Sequence, residues 1–193
     1  MPLCKQPCGL TALSEKEIHP LPNEVDTIVY LAQSDHFRDF PDKSQDIFAV
    51  NAASVLQMLD YARESGVKRF IYASSGGVYG SSQDVLIENT SLSINNKLGF
   101  YLSTKICAEA LLENYIPYMS IIILRFFFVY GFGQRKDMLI PRLVDSVRQG
   151  EPIHLQGKEG FKLNPIYVVD AVHSIKKALL LNESYKIDLL RQD

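Results

Sequence analysis

The sequence predicts an α/β protein built on a parallel sheet with helices packed on both faces. Three observations carry that expectation. Short β-branched apolar runs recur at Val25–Ala32, Arg69–Ser74 and Ser120–Val129 without an in–out alternation, as expected of strands buried on both sides. Longer segments between them repeat their apolar residues at helical spacing. The order strand, helix, strand, helix, strand, helix then calls for right-handed crossovers in one open sheet. A chain of 193 residues with 47% hydrophobic residues is one domain, or a piece of a larger one, with enough apolar material for a core.

Residues 1–23 have no periodicity, are interrupted by prolines and read as an irregular lead-in; residues 24–193 form the folded unit. Val25–Ala32 is the first strand. Residues 33–43 are polar and contain Pro41, hence a loop. From Asp46 to Ser65 the apolar set Ile47, Val50, Val55, Met58, Leu59 and Ala62 marks a helix that Gly66 ends. Arg69–Ser74 is the second strand, Phe100–Asn114 the next helix, and Ser120–Val129 the third and most apolar strand. Ile140–Gln149 is helical and stopped by Gly150. Short strands are expected at Ile153–Leu155 and Asn164–Val169, a helix capped by Asp170 at Asp170–Leu181, and a last strand at Lys186–Leu190.

Composition removes several classes of function. A net charge of −2 with scattered Lys and Arg offers no footprint for nucleic acid or an anionic membrane. The first residues lack the apolar core of a signal peptide, and the longest apolar run, Ile121–Tyr130, is too short for a bilayer and contains Arg125. Cys4, Cys8 and Cys107 are an odd number without paired zinc spacing, and read as reduced thiols of a cytoplasmic protein. None of the four His has ligand spacing, so no metal is assigned.

The chemistry concentrates between Arg69 and Lys105. The second strand ends in Ser74-Ser75 and runs into Gly76-Gly77-Val78-Tyr79-Gly80; after a polar loop, Tyr101-Leu-Ser-Thr-Lys105 opens a helix. Tyr and Lys four apart share one helix face. A phenol has an ordinary pKa near 10. An ammonium about 4 Å away at an effective dielectric of 20 would pull it down by about 3 units, to where a general acid/base works best. A lone Tyr-x-x-x-Lys pair is close to what chance gives in a chain with ten tyrosines, and two residues on a solvated helix face are the plainer reading. The weight comes from context: a hydroxyl residue at one strand end, the Tyr at the head of a helix, and a sheet whose strand ends Ala32-Gln33, Ser74-Ser75 and Phe127-Phe128 meet at one crevice.

Five segments then occur in a telling order: Tyr30-Leu-Ala-Gln33, Ser74-Ser-Gly-Gly-Val-Tyr-Gly80, Tyr101-Leu-Ser-Thr-Lys105, Leu124-Arg-Phe-Phe-Phe-Val-Tyr-Gly131 and Asn164-Pro-Ile-Tyr-Val-Val-Asp170. Over about Val25 to Leu181 the sequence resembles the extended short-chain dehydrogenase/reductases, the NAD-dependent epimerase/dehydratase family acting on nucleotide sugars. The resemblance implies a Rossmann-like parallel sheet flanked by helices, NAD or NADP as cofactor, and a nucleotide sugar or other small carbonyl or alcohol as substrate. It makes Tyr101 the catalytic acid/base, Lys105 the residue that lowers its pKa and holds the nicotinamide ribose, and Ser75 the residue that orients the reacting hydroxyl. Leu31, Ala32, Gln33, Ser34, Asn51, Ser74 and Phe127, with Tyr101 and Lys105, match positions along the cofactor. A homodimer through helices Asp46–Ser65 and Phe100–Asn114 is implied by analogy.

The match has departures. The family's opening strand, glycine-rich turn and helix, whose N-terminus cradles a pyrophosphate, has no counterpart, since Gly9 is the only glycine before Gly66. The expectation is therefore a chain lacking the first βαβ unit and most of the C-terminal substrate lobe, a fragment or a non-catalytic remnant that keeps the fold. Phe128 and Leu163 stand where the family usually carries Asn and Arg against the sugar nucleotide, which keeps a ketone or steroid-type reductase open as a further alternative. Arg135, Arg142, Lys158 and Lys162 are candidates to meet a diphosphate, against the plainer reading as solvated charges. Gly76-Gly77 replaces the Asp-Glu pair of the family's sugar dehydratases and cannot move protons, which favours an epimerase or reductase.

Overall fold

The computed structural model describes residues 21–22, 24–80, 87–92, 98–154 and 163–189. The lead-in apart from residues 21–22, Cys4, Cys8, Leu155, Lys158, Lys162 and Leu190 lie outside the described residues.

Four strands, β1 (Thr27–Tyr30), β2 (Arg69–Ser75), β3 (Ser120–Phe126) and β6 (Tyr185–Leu189), form one parallel sheet in the order β1-β2-β3-β6. Thr27 pairs with Arg69 and Arg69 with Ser120, so three strands start level and their carboxyl ends finish on one edge. The first helical segment runs as α1 (Ser44–Phe48), a π-helical stretch over Ala49–Ala53, and α2 (Ser54–Glu64). It is followed by α3 (Phe100–Glu113), α4 (Leu139–Gln149) and α5 (Val168–Ala178).

Alternate residues of the strands explain the missing polar alternation. Tyr30, Phe70, Tyr72, Ile121 and Ile123 pack with Val55, Leu59, Ala108 and Leu112 of α2 and α3. Ile71, Ile122 and Leu124 point the other way, onto Ile175 and Ala178 of α5. Both sides of β2 and β3 are thus apolar because both are covered. Val29, on the opposite face of β1 from Tyr30, is 37% exposed. Gly66 and Gly150 follow α2 and α4 with φ of 65° and 69°, the left-handed geometry that stops a helix.

Three boundaries differ from expectation. The apolar run after Ser120 is two strands: β3 ends at Phe126, and β4 (Phe128–Tyr130) leaves the main sheet to pair in parallel with β5 (Pro165–Tyr167). The break falls at Phe127, whose ring lies against Gly76. Asp170 does not cap α5: the helix follows β5 directly with Tyr167 at the cap position, and Asp170 sits inside the first turn, where its charge still suits the positive end of the helix dipole. Ile153 and His154 are not in a strand. Among the described residues no helix is long and apolar enough to cross a membrane.

Candidate active site

Ser75 is the last residue of β2 and the cap of a short 3₁₀ turn over Gly76–Tyr79; its Oγ accepts a hydrogen bond from the Gly77 amide at 3.2 Å. Tyr101 is the second residue of α3 and Lys105 lies one turn on, so the helix presents both toward the end of β2. Ser75, Tyr101 and Lys105 line one crevice of about 400 Å³ at the carboxyl ends of β1, β2 and β3. Leu31, Gln33, Ser74 and Phe127 share its walls.

The Tyr101 hydroxyl donates to Gln33 Oε1 at 2.8 Å. Lys105 Nζ donates to the Ala73 carbonyl at 2.9 Å, and lies 4.9 Å from the ring centroid of Tyr72 and 5.9 Å from that of Tyr101. Burial pushes the Tyr101 phenol up to about 12, against the pull of a Ser75 hydrogen bond. Burial also pushes Lys105 down to about 8, against the carboxylate of Glu109. This differs from a phenol brought near 7 by its lysine neighbour. The ammonium is anchored on a backbone carbonyl and spread over two aromatic rings, and the loss of water penalises both charged forms.

Some of the expected positions do not line the crevice. Ala32 is exposed and is not among the residues lining the crevice. Ser34 and Asn51 are buried: Asn51 Oδ1 accepts from the Ser34 amide at 3.0 Å, Asn51 Nδ2 donates to Thr104 Oγ1 at 3.1 Å, and Ser34 Oγ donates to Asp46. Phe128 lines the crevice, whereas Leu163 does not. Arg135 is exposed and pairs with Asp137 at 2.7 Å, and Arg142 is exposed; neither borders the crevice.

Comparison with known proteins fits this geometry. Residues 6–187 match the NAD dependent epimerase/dehydratase family. The chain belongs to that family. It is 36% identical over 133 residues to an uncharacterized UDP-glucose epimerase, YtcB, of Bacillus subtilis (strain 168), covering 68% of this chain and 41% of that protein. Among solved structures, MoeE5 in complex with UDP-glucose and NAD aligns with a TM-score of 0.77 at 27% identity, over 87% of this chain and 57% of that one. UDP-glucuronic acid 4-epimerase from Bacillus cereus in complex with NAD aligns with a TM-score of 0.76 at 25% identity, over 87% and 54%. The chain spans about half the length of the curated relatives it matches.

The residues present suit the nicotinamide–ribose half of the family's cofactor. An ammonium has three protons, and the one Lys105 gives to Ala73 leaves others for vicinal ribose hydroxyls. Leu31 and Phe127 supply apolar walls, and Gln33 and Ser75 supply polar groups within the same crevice.

Sequence reasoning missed the groups behind Lys105. Arg125 and Glu109 are almost wholly buried and paired through both ends of the guanidinium fork, Nε to Oε1 at 3.1 Å and Nη2 to Oε2 at 2.6 Å. Ser74 Oγ adds a hydrogen bond to Glu109 at 2.5 Å, and Arg125 Nη1 donates to the Tyr79 hydroxyl at 2.6 Å, which donates to Asp188 at 2.7 Å. The signal was available: a lone cation in the most apolar strand needs a buried partner. Arg38, Phe37 and Met138, which also line the crevice, carried no such signal.

Proposed function

We propose that this protein is an NAD-dependent epimerase of a nucleotide sugar, with Tyr101 as the acid/base. The observation that carries the reading is the convergence of Ser75, Tyr101 and Lys105 on one crevice at the strand ends. Bound NAD supplies the hydride acceptor and donor. Tyr101 takes the proton of the sugar hydroxyl as its carbon is oxidised to the ketone, and returns that proton once the ketone has presented its other face. Ser75 hydrogen-bonds the same oxygen in both states. Lys105 would hold the ribose, and it keeps a positive charge 5.9 Å from the Tyr101 ring centroid.

A phenol held near 12 is a poor base until more positive charge enters the crevice. An oxidised nicotinamide bound here would bring such a charge, and Tyr101 would then serve as the base. No carboxylate is among the described residues lining the crevice, which supports epimerisation over water elimination, a reaction that needs a further acid and base.

The test is incubation of the chain with NAD and UDP-glucose or UDP-glucuronate, following the anomeric signals by NMR. Appearance of the 4-epimer is expected. Oxidation of an apolar ketone's alcohol with no change in either UDP-sugar would make the protein a reductase of the steroid type; absence of NAD binding would make it a non-catalytic member.

A further inference from the structure

One turn along α3 from the crevice lysine lies a buried carboxylate. Lys105 and Glu109 are one turn apart on α3, and each is only 3% exposed. Consecutive residues of β2 receive them: the Ala73 carbonyl takes the Lys105 ammonium, and the Ser74 hydroxyl binds Glu109. On its far side Glu109 is gripped by Arg125 of β3. A buried ammonium is expensive, and without an anion nearby it would shed its proton.

We propose that Glu109 is a positioning residue for Lys105: its carboxylate, fixed by Ser74 and Arg125, is the counter-charge that keeps the lysine protonated against Ala73 at the crevice wall. This deepens the epimerase reading and rests on it for its catalytic consequence. The groups facing the pair are few. Tyr101 on α3 and Tyr72 on β2 face Lys105 with their rings, and both phenols are held well above their ordinary value. Arg125 and Ser74 face Glu109. Tyr79 and Asp188 stand beyond Arg125, one step removed. Glu109 is therefore the anion placed to hold the Lys105 proton among the described residues, and the pull of Glu109 on Lys105 is upward.

The experiment titrates Lys105 in the chain by NMR of lysine side-chain carbons, with Lys105→Met assigning the signal. In Glu109→Gln the Lys105 midpoint should fall by about one pH unit or more, at least about a tenfold loss of proton affinity, and Glu109→Asp should restore part of it. Should Glu109→Gln not fold, Glu109→Gln/Arg125→Met is compared with Arg125→Met, so that only the carboxylate differs, and the double variant should have the lower Lys105 midpoint. An unchanged Lys105 midpoint in either comparison, Glu109→Gln against wild type or the double variant against Arg125→Met, overturns the proposal and leaves Glu109 as a brace for Arg125 alone. The titration needs neither cofactor nor sugar. A fallen midpoint in a protein that epimerises nothing upholds the counter-charge and sinks the epimerase reading. In an active protein the alkaline limb of the kcat profile should move down with the midpoint.

Discussion

A side chain one carbon long on Gly76 would stand 2.6 Å from the ring of Phe127. The two residues come from the ends of neighbouring strands, so the crevice wall is shaped by a contact that only a residue without Cβ permits. Gly76→Ala should cost about 1–3 kcal/mol by overpacking, seen as a lower urea midpoint at unchanged m. Phe127→Leu in the Gly76→Ala background should recover most of it. A neutral Gly76→Ala would show that the ring moves freely and does not shape the site.

Lys105 makes a signed prediction about pH. Burial lowers it from 10.5 to about 8, so between those values the unfolded chain holds a proton that the folded chain has released. Stability from this group therefore rises with pH across that window and is flat below it. Compared with Lys105→Met, the wild-type unfolding free energy should gain up to about 1.4 kcal/mol per pH unit between pH 8 and 10.5. A difference that does not change with pH would mean the lysine is not held in the dry setting described.

Arg125 and Glu109 should behave as a unit. Arg125→Ala leaves a carboxylate buried without its partner and should destabilise by about 3–5 kcal/mol in chemical unfolding. The apolar pair Arg125→Met/Glu109→Leu should be far less harmful than Arg125→Ala. Equal losses for both would show that packing volume, not the uncompensated charge, sets the cost.

Asn51 is braced at both ends of its amide, by the Ser34 amide and Thr104 Oγ1. Asn51→Ala should cost about 1–3 kcal/mol because it strands two buried polar groups. Unfolding midpoints of Asn51→Ala and Asn51→Asp measure this; an unaffected Asn51→Ala would return the residue to a role at the cofactor.

Much of the scaffold was legible because it follows from local rules. Unalternating apolar strands, helical spacing and terminal glycines at Gly66 and Gly150 led to the parallel sheet and to where its helices stop. Ser75 was read from a strand end, Tyr101 and Lys105 from their spacing on one helix face and from the family resemblance, and the three line one crevice. Two things were not legible. The split at Phe127 depends on a pairing with Pro165–Tyr167, far along the chain and marked by no breaker in the apolar run. The protonation of Tyr101 depends on how much water the crevice admits and on where the Lys105 amine is anchored, and spacing along a helix reports neither. Ser34 and Asn51 show the same limit: their positions were noticed, but their bonds to Asp46 and Thr104 belong to tertiary packing.

Tyr101→Phe tests the central claim most directly. With NAD and a UDP-sugar in a single-turnover NMR assay, the wild-type chain should form the 4-epimer, while Tyr101→Phe should be slower by about 10²–10⁴ with NAD binding retained. A Tyr101→Phe chain that epimerises at the wild-type rate would contradict the account.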